Sequence, residues 1–225
     1  ATSCHGDLDI MQDNRLSASN MWKDATDVTQ STYGIYERMR SCFVNTTCNV
    51  FYWGEVRVGT YMWGSSIVNL AHDNDMIGVE SSTMNGTNAS TNWSALYTTI
   101  DQANAVLKYA PTINMSDKER GFAIGQASFA RAYCYFWAAR LWGDVPLNLV
   151  PIESVSQPEC YPVRAPKAEV YAQIGKDIET AIENAEYLGG NCYFATKTAV
   201  NLLKAEYALW MYTNQKGGDS YLTLA

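Results

Sequence analysis

The sequence predicts an all-α fold, mainly stacked antiparallel helix pairs of the tetratricopeptide-repeat type with long irregular loops between them. Two observations predict it. Between residues 117 and 142, Ala123, Ala127, Ala130, Cys134, Trp137 and Leu141 form one apolar seam at helical spacing, and Phe122, Phe129, Tyr133 and Phe136 form a second beside it. A face that wide belongs in a crowded core. The order helix, turn, helix also occurs twice, over 91–142 and 166–213, which is the pattern of stacked helix pairs.

In chain order, residues 1–16 are polar and read as a tether, leaving 17–225 as one helical domain. A first helix is expected over 19–40, with Trp22, Ala25, Thr29, Tyr33, Tyr36 and Met39 on its inner face. Residues 41–64, rich in rings and β-branched side chains without a helical period, read as irregular or weakly extended. Residues 65–92 are dominated by Asn, Asp, Ser, Thr and Gly and predict a long loop, with one helical turn at 65–71. Loops of that length inside a domain tend to carry function.

A helix over 91–109 turns Trp93, Leu96, Tyr97, Ile100 and Leu107 inward and stops before Pro111. The longest helix, 117–142, opens on a capping box, Ser116 with Glu119, and closes at Gly143, beyond which Pro146 bars continuation. At about 1.5 Å per residue it reaches roughly 40 Å, enough to cross a domain. A Pro-bearing connection follows over 143–163, then a helix opened by Pro166 and closed by Gly189 and Gly190, then one over 196–213. Another begins at 219–222.

Composition excludes several classes. A formal charge of −7 provides no basic stripe for nucleic acid and no attraction to anionic lipid. No apolar run approaches the roughly 20 residues of a membrane span. The six cysteines show no CxxC pair and no Cys/His cluster, so zinc is unsupported. Cys42 and Cys48 flank a five-residue loop and are read either as a local disulfide or as two thiols, depending on the compartment. With two histidines, His5 and His72, and no nucleophile elbow, phosphate loop or zinc-protease helix, catalysis has no motif, and no metal or cofactor is expected. Asp73-Asn74-Asp75 lacks the Gly and distant Glu of a dedicated calcium loop. Fifteen tyrosines and seven tryptophans are many for this length, and rings at the surface serve contacts with partners or sugars.

The run RAYCYFWAARLWGDVPL, from Arg131 to Leu147, resembles the signature segment of the SusD/RagB family of surface glycan-binding lipoproteins of Bacteroidetes. Further matches fall in order: Trp22, Tyr33-Gly34-Ile35-Tyr36, Trp53-Gly54-Glu55-Val56-Arg57, Trp93, Tyr97, Asn104, Arg164, Val170-Tyr171, Asp177-Ile178, and 199–205. The resemblance spans nearly the whole chain. It implies the same helical-repeat fold and a binding protein in place of an enzyme. It also implies capture of oligosaccharide, or in some members peptide, and delivery to a SusC-like TonB-dependent transporter in the outer membrane. A helical scaffold whose only task is to seat the transporter is a further reading. Family members run to more than twice this length, so the chain is read as an N-terminal part.

Ala1-Thr2-Ser3-Cys4 resembles the end of a lipobox, and the resemblance implies acylation at Cys4, with the lipid as the only membrane contact; the plainer reading is an unmodified remnant. Sugar recognition needs flat rings for the apolar face of a pyranose and short polar side chains for its hydroxyls. Position and chemistry nominate Tyr61, Trp63, Asp73, Asn74 and Asp75, with Arg57 beside them. Trp63 is read as a surface platform or as core filler, and Arg57 as a buried partner of Glu55. Trp22, Trp53, Trp93, Trp137, Trp142 and Trp210 fall on scaffold faces and are expected in the core.

Overall fold

The structure is a computed structural model that describes residues 21–44, 50, 52–59 and 70–225, with the backbone alone at 70–74. It is all-α: helices α1 (Ala25–Val44), α2 (Leu70–Glu80), α3 (Ser94–Tyr109), α4 (Asp117–Trp142), α5 (Lys167–Glu183), α6 (Lys197–Gln215) and α7 (Ser220–Leu224). The only β structure among the described residues is a two-residue antiparallel bridge of β1 (Val145–Pro146) with β2 (Arg164–Ala165). The two expected pairs are α3 with α4 and α5 with α6. The short connection at 110–116 turns α4 back along α3.

α4 is the hub and packs against α1, α3, α5 and α6. Its capping box forms as expected: Ser116 Oγ accepts the Glu119 N–H at 3.2 Å, and Glu119 accepts the Ser116 N–H at 3.0 Å. Gly143 ends it at φ 71° and ψ −114°, a region open to glycine and costly for any other residue. Its first half meets α1 and α3 through Ala123, Ala127 and Ala130 against Val28, Ile35, Ala103 and Val106, small side chains that let three helices approach. Its second half carries Cys134, Tyr135 and Phe136 into the larger cluster. Gly125 is a contact point, since a Cβ there would lie 2.8 Å from the buried Leu188.

The buried charges of this core, Arg131 and Asp177, are paired. Arg131, from the signature segment, donates two bonds to Asp177 of α5, at 2.8 and 2.6 Å, and a third to Asn104 of α3 at 2.8 Å. Asn104 in turn donates to the carbonyls of Asn148 and Val150, and the Tyr135 hydroxyl donates to the Asn148 carbonyl. One charge-paired network thus ties three helices to the connection after α4. The β bridge closes that connection at its base, where the Asp144 carboxylate accepts the Lys167 N–H at the start of α5. Gln126 pins the segment before α6 by exchanging bonds with the backbone of Ala195. Arg140 lies over the Phe136 and Trp137 rings, at 4.1 and 4.5 Å, and pairs with Glu206 of α6.

Three expectations are corrected. The helix that carries Tyr33 and Tyr36 does not run unbroken from the expected N-terminal turn: residues 22–24 are non-helical, and it starts at Ala25, where Asp24 accepts the N–H groups of Thr26 and Asp27 and caps it. It runs on to Val44 and buries Val28, Ile35 and Cys42, while Tyr33 stays 47% exposed and stacks on Phe194. The ring-bearing seam lies beside the buried one because small and branched residues permit the close α1–α4 approach. Trp22 precedes the helix and stacks on Tyr109 at 4.6 Å. Within 41–64, residues Tyr52–Val56 form a π-helical turn where irregular or weakly extended chain was expected. Within the predicted loop 65–92 lies α2, an 11-residue helix. Its Asn, Asp and Gly hide it from pattern reading, and tertiary contacts support it, with Val79 buried in the main core. No helix among the described residues is long and apolar enough to cross a membrane.

Candidate ligand-binding site

Four short pieces of chain meet at the C-terminal end of α4 around a cavity of about 480 Å³. The π-helical turn contributes Tyr52 and Trp53, with Arg57 just beyond it. The stretch from α2 to α3 contributes Val79, Met84, Asn85, Gly86, Ser90, Thr91 and Trp93. α4 ends there in Leu141 and Trp142, and β2 places Arg164 at the edge.

Three tryptophans form the wall. Trp142 stands edge-on between its neighbours, with centroids 5.6 Å from Trp53 and 5.7 Å from Trp93. Trp53 is 7% exposed, and its indole N–H donates to the Ser90 carbonyl at 2.9 Å, which locks ring to loop. Trp93 and Trp142 are half-buried. Arg164 lies over the Trp93 ring with Cζ 4.6 Å from its centroid, and its Nη1 donates to the Asp144 carbonyl at 2.6 Å. The charge rests on the ring face while the backbone fixes one arm of the fork. Tyr97, behind Trp93, donates to the Pro146 carbonyl; burial raises its hydroxyl well above the ordinary value and Arg164 offsets this only in part.

The mouth loop holds itself. Asn88 Oδ1 accepts the Asn85 N–H, Asn85 Oδ1 accepts the Thr87 N–H and hydroxyl, and Thr91 Oγ1 donates to the Asn88 carbonyl, all at 2.6–2.9 Å. Such local bonds substitute for a regular ladder and fix a loop with little apolar burial.

The sequence-nominated residues fall differently. Cys4, Tyr61 and Trp63 lie outside the described residues, as does Cys48. Asp73 and Asn74 are in α2, with side chains outside the description. Asp75 is 3% exposed and accepts the Ser90 hydroxyl at 3.4 Å, so it backs the cavity wall from behind. Arg57 and Glu55 are both exposed, which corrects the reading of a buried pair, and Arg57 faces the cavity. Trp53 is core as expected, whereas Trp93 and Trp142 form cavity wall. Sequence reasoning missed Asn85, Ser90, Thr91 and Arg164 as lining. The Asn-Gly-Thr-Asn cluster signalled a turn, and no local signal joins Arg164 to residues some seventy positions earlier.

The fold and the cavity define a helical protein that presents a tryptophan-walled cavity. The chain belongs to the SusD-like family: residues 8–203 match the family described as "Starch-binding associating with outer membrane". The SusD-like protein P38 of Formosa agariphila is 26% identical over 215 residues, covering 95% of this chain and 40% of that protein. Among solved structures, B. fragilis NanU superposes with a TM-score of 0.74 at 26% identity, over 94% of this chain and 42% of that one. A SusD superfamily protein from Bacteroides vulgatus has the same TM-score, 0.74, and 26% identity, over 90% of this chain and 41% of its own. The chain therefore spans about two-fifths of the length of these relatives.

Proposed function

We propose that this chain forms the N-terminal part of a cell-surface lipoprotein that captures oligosaccharide, without turning it over, and passes it to a SusC-like TonB-dependent transporter. Acylated Cys4 would anchor it to the outer membrane. The tryptophan-walled cavity carries the reading: ring faces of Trp93 and Trp142 suit the apolar side of a pyranose, and Asn85, Thr91 and the two arginines offer polar groups at its mouth. The bonded loop is preorganised, so little ordering entropy opposes capture. Family membership supports a polysaccharide-derived ligand. Asp73 and Asn74, with Tyr61 and Trp63, are proposed as further contacts, because their segment runs between Arg57 and Val79, both of which line the cavity.

The test is isothermal titration of the full-length protein against host and plant oligosaccharides. Trp93→Ala is expected to weaken binding at least about tenfold, as truncation of a central ring anchor does. Tyr193→Ala, at a ring 78% exposed outside the cavity, is expected to leave it unchanged. Silence across the panel, with the transporter still recovered in pull-down, would favour peptide capture or a seating scaffold.

A further inference from the structure

The cavity's charge runs against that of the chain. The protein carries 23 acidic residues to 16 basic, yet the cavity is lined by two guanidinium groups, Arg57 and Arg164, and by no carboxylate among the described residues. The carboxylates nearest in the fold are engaged or turned elsewhere. Asp144 accepts the Lys167 N–H, Asp75 sits buried behind Ser90, and Glu55 is exposed but does not line the cavity.

Arg164 is also held in place. Stacking on Trp93 and the bond from Nη1 to the Asp144 carbonyl orient its planar fork, while its Nε and Nη2 groups donate to no partner among the described residues. An arginine has five donors and no acceptor. Hydroxyls of a neutral sugar are served well by amides and carboxylates, which accept as well as donate. Two donor-only cations beside a partly desolvating ring wall suit an anionic group better, because a fixed guanidinium meets a planar or tetrahedral oxyanion with paired, charge-assisted bonds.

We propose that the ligand of this cavity is an anionic oligosaccharide, bearing carboxylate or sulfate, with its pyranose face on Trp93 and Trp142 and its anionic group between Arg164 and Arg57. This rests on the glycan reading of the site and narrows it.

The experiment titrates the full-length protein, by calorimetry and tryptophan fluorescence, with two matched pairs: oligogalacturonate against its methyl ester, and sulfated against desulfated galactan oligosaccharide. At least one anionic member should bind about tenfold or more tighter than its neutral twin, since bonds to charged groups outweigh neutral ones. The pair that discriminates tells carboxylate from sulfate. The preference should shrink with added salt and be lost in Arg164→Gln and Arg57→Gln, the anionic member falling toward the affinity of its neutral twin. Neutral twins that bind as tightly as the anionic ones overturn the inference and leave glycan capture standing. Failure of every glycan to bind overturns both.

Discussion

α4 with its partners and the strip from the π-helical turn to Trp93 are built on opposite principles. α4 carries its backbone bonds within itself and buries most residues from Gly121 to Ala139, so its shape follows from apolar area removed from water. Among the described residues the cavity strip contains one short helix, a π-helical turn and a 3-10 turn, and bonds between side chain and backbone tie these pieces together: Trp53 to Ser90, Asn88 to Asn85, Thr91 to Asn88. The first region is built for stability, and the second, on the proposed function, for the shape of the ligand site. They meet at Trp142, the last residue of α4 and the middle ring of the cavity wall. Substitutions should therefore separate into those read by unfolding and those read by binding.

The largest unfolding effect is expected at the buried ion pair of the scaffold. Asp177→Ala leaves Arg131 without its carboxylate in a site where both side chains are at least nine-tenths buried, and should cost about 3–5 kcal/mol in denaturant unfolding. The double variant Arg131→Met, Asp177→Leu removes both charges and should recover much of that loss. A single variant as stable as the parent would mean that the network is dispensable and that the two regions are not so different.

The same division decides what the sequence revealed. The bounds of α4, its capping box and its Gly143 stop were legible because periodicity, cap chemistry and the glycine requirement all act within a few residues. The face of α1 was misread by about one position, since tyrosines at helical spacing mark the rim of a packed seam as readily as its centre. α2 was not legible: Asp75 and Gly78 argue locally against a helix, and its support comes from packing on the π-helical turn and from the bond of Ser90 to Asp75, partners distant in sequence. The cavity was half legible. The loop was singled out, but its wall came from tryptophans assigned to the core, and Arg164 arrives through a bridge to Val145–Pro146 that no local pattern announces.

Two intermediate substitutions sharpen the contrast. Gly125→Val forces a side chain against Leu188, which is 1% exposed and has nowhere to move; overpacking of this kind costs about 1–3 kcal/mol. Thermal unfolding should show it while ligand affinity, measured below the transition, stays put. Trp53→Phe keeps a ring in the wall but removes the N–H that holds the Ser90 carbonyl, so about 1–2 kcal/mol of stability should go, and affinity with it, because the loop loses its tie to the ring. Unchanged affinity in Trp53→Phe would show that the mouth loop holds its shape without the core.

The smallest and most discriminating comparison uses one kind of bond in both regions. Ser116 Oγ accepts a backbone N–H at the start of α4, and Asn88 Oδ1 accepts one, from Asn85, at the cavity mouth. Ser116→Ala removes a helix cap and should lower stability by about 1 kcal/mol, with the titration curve unmoved. Asn88→Ala removes a bond from an exposed loop whose opening leaves the core intact, so global stability should change by less than about 0.5 kcal/mol. Its effect should appear as a several-fold loss of affinity and faster amide exchange at 85–91, since a loop that must be ordered on binding subtracts that ordering from the binding free energy. If both variants instead shift unfolding equally and neither shifts binding, the mouth loop is part of the scaffold, and ligand recognition rests on the tryptophan wall and the two arginines alone.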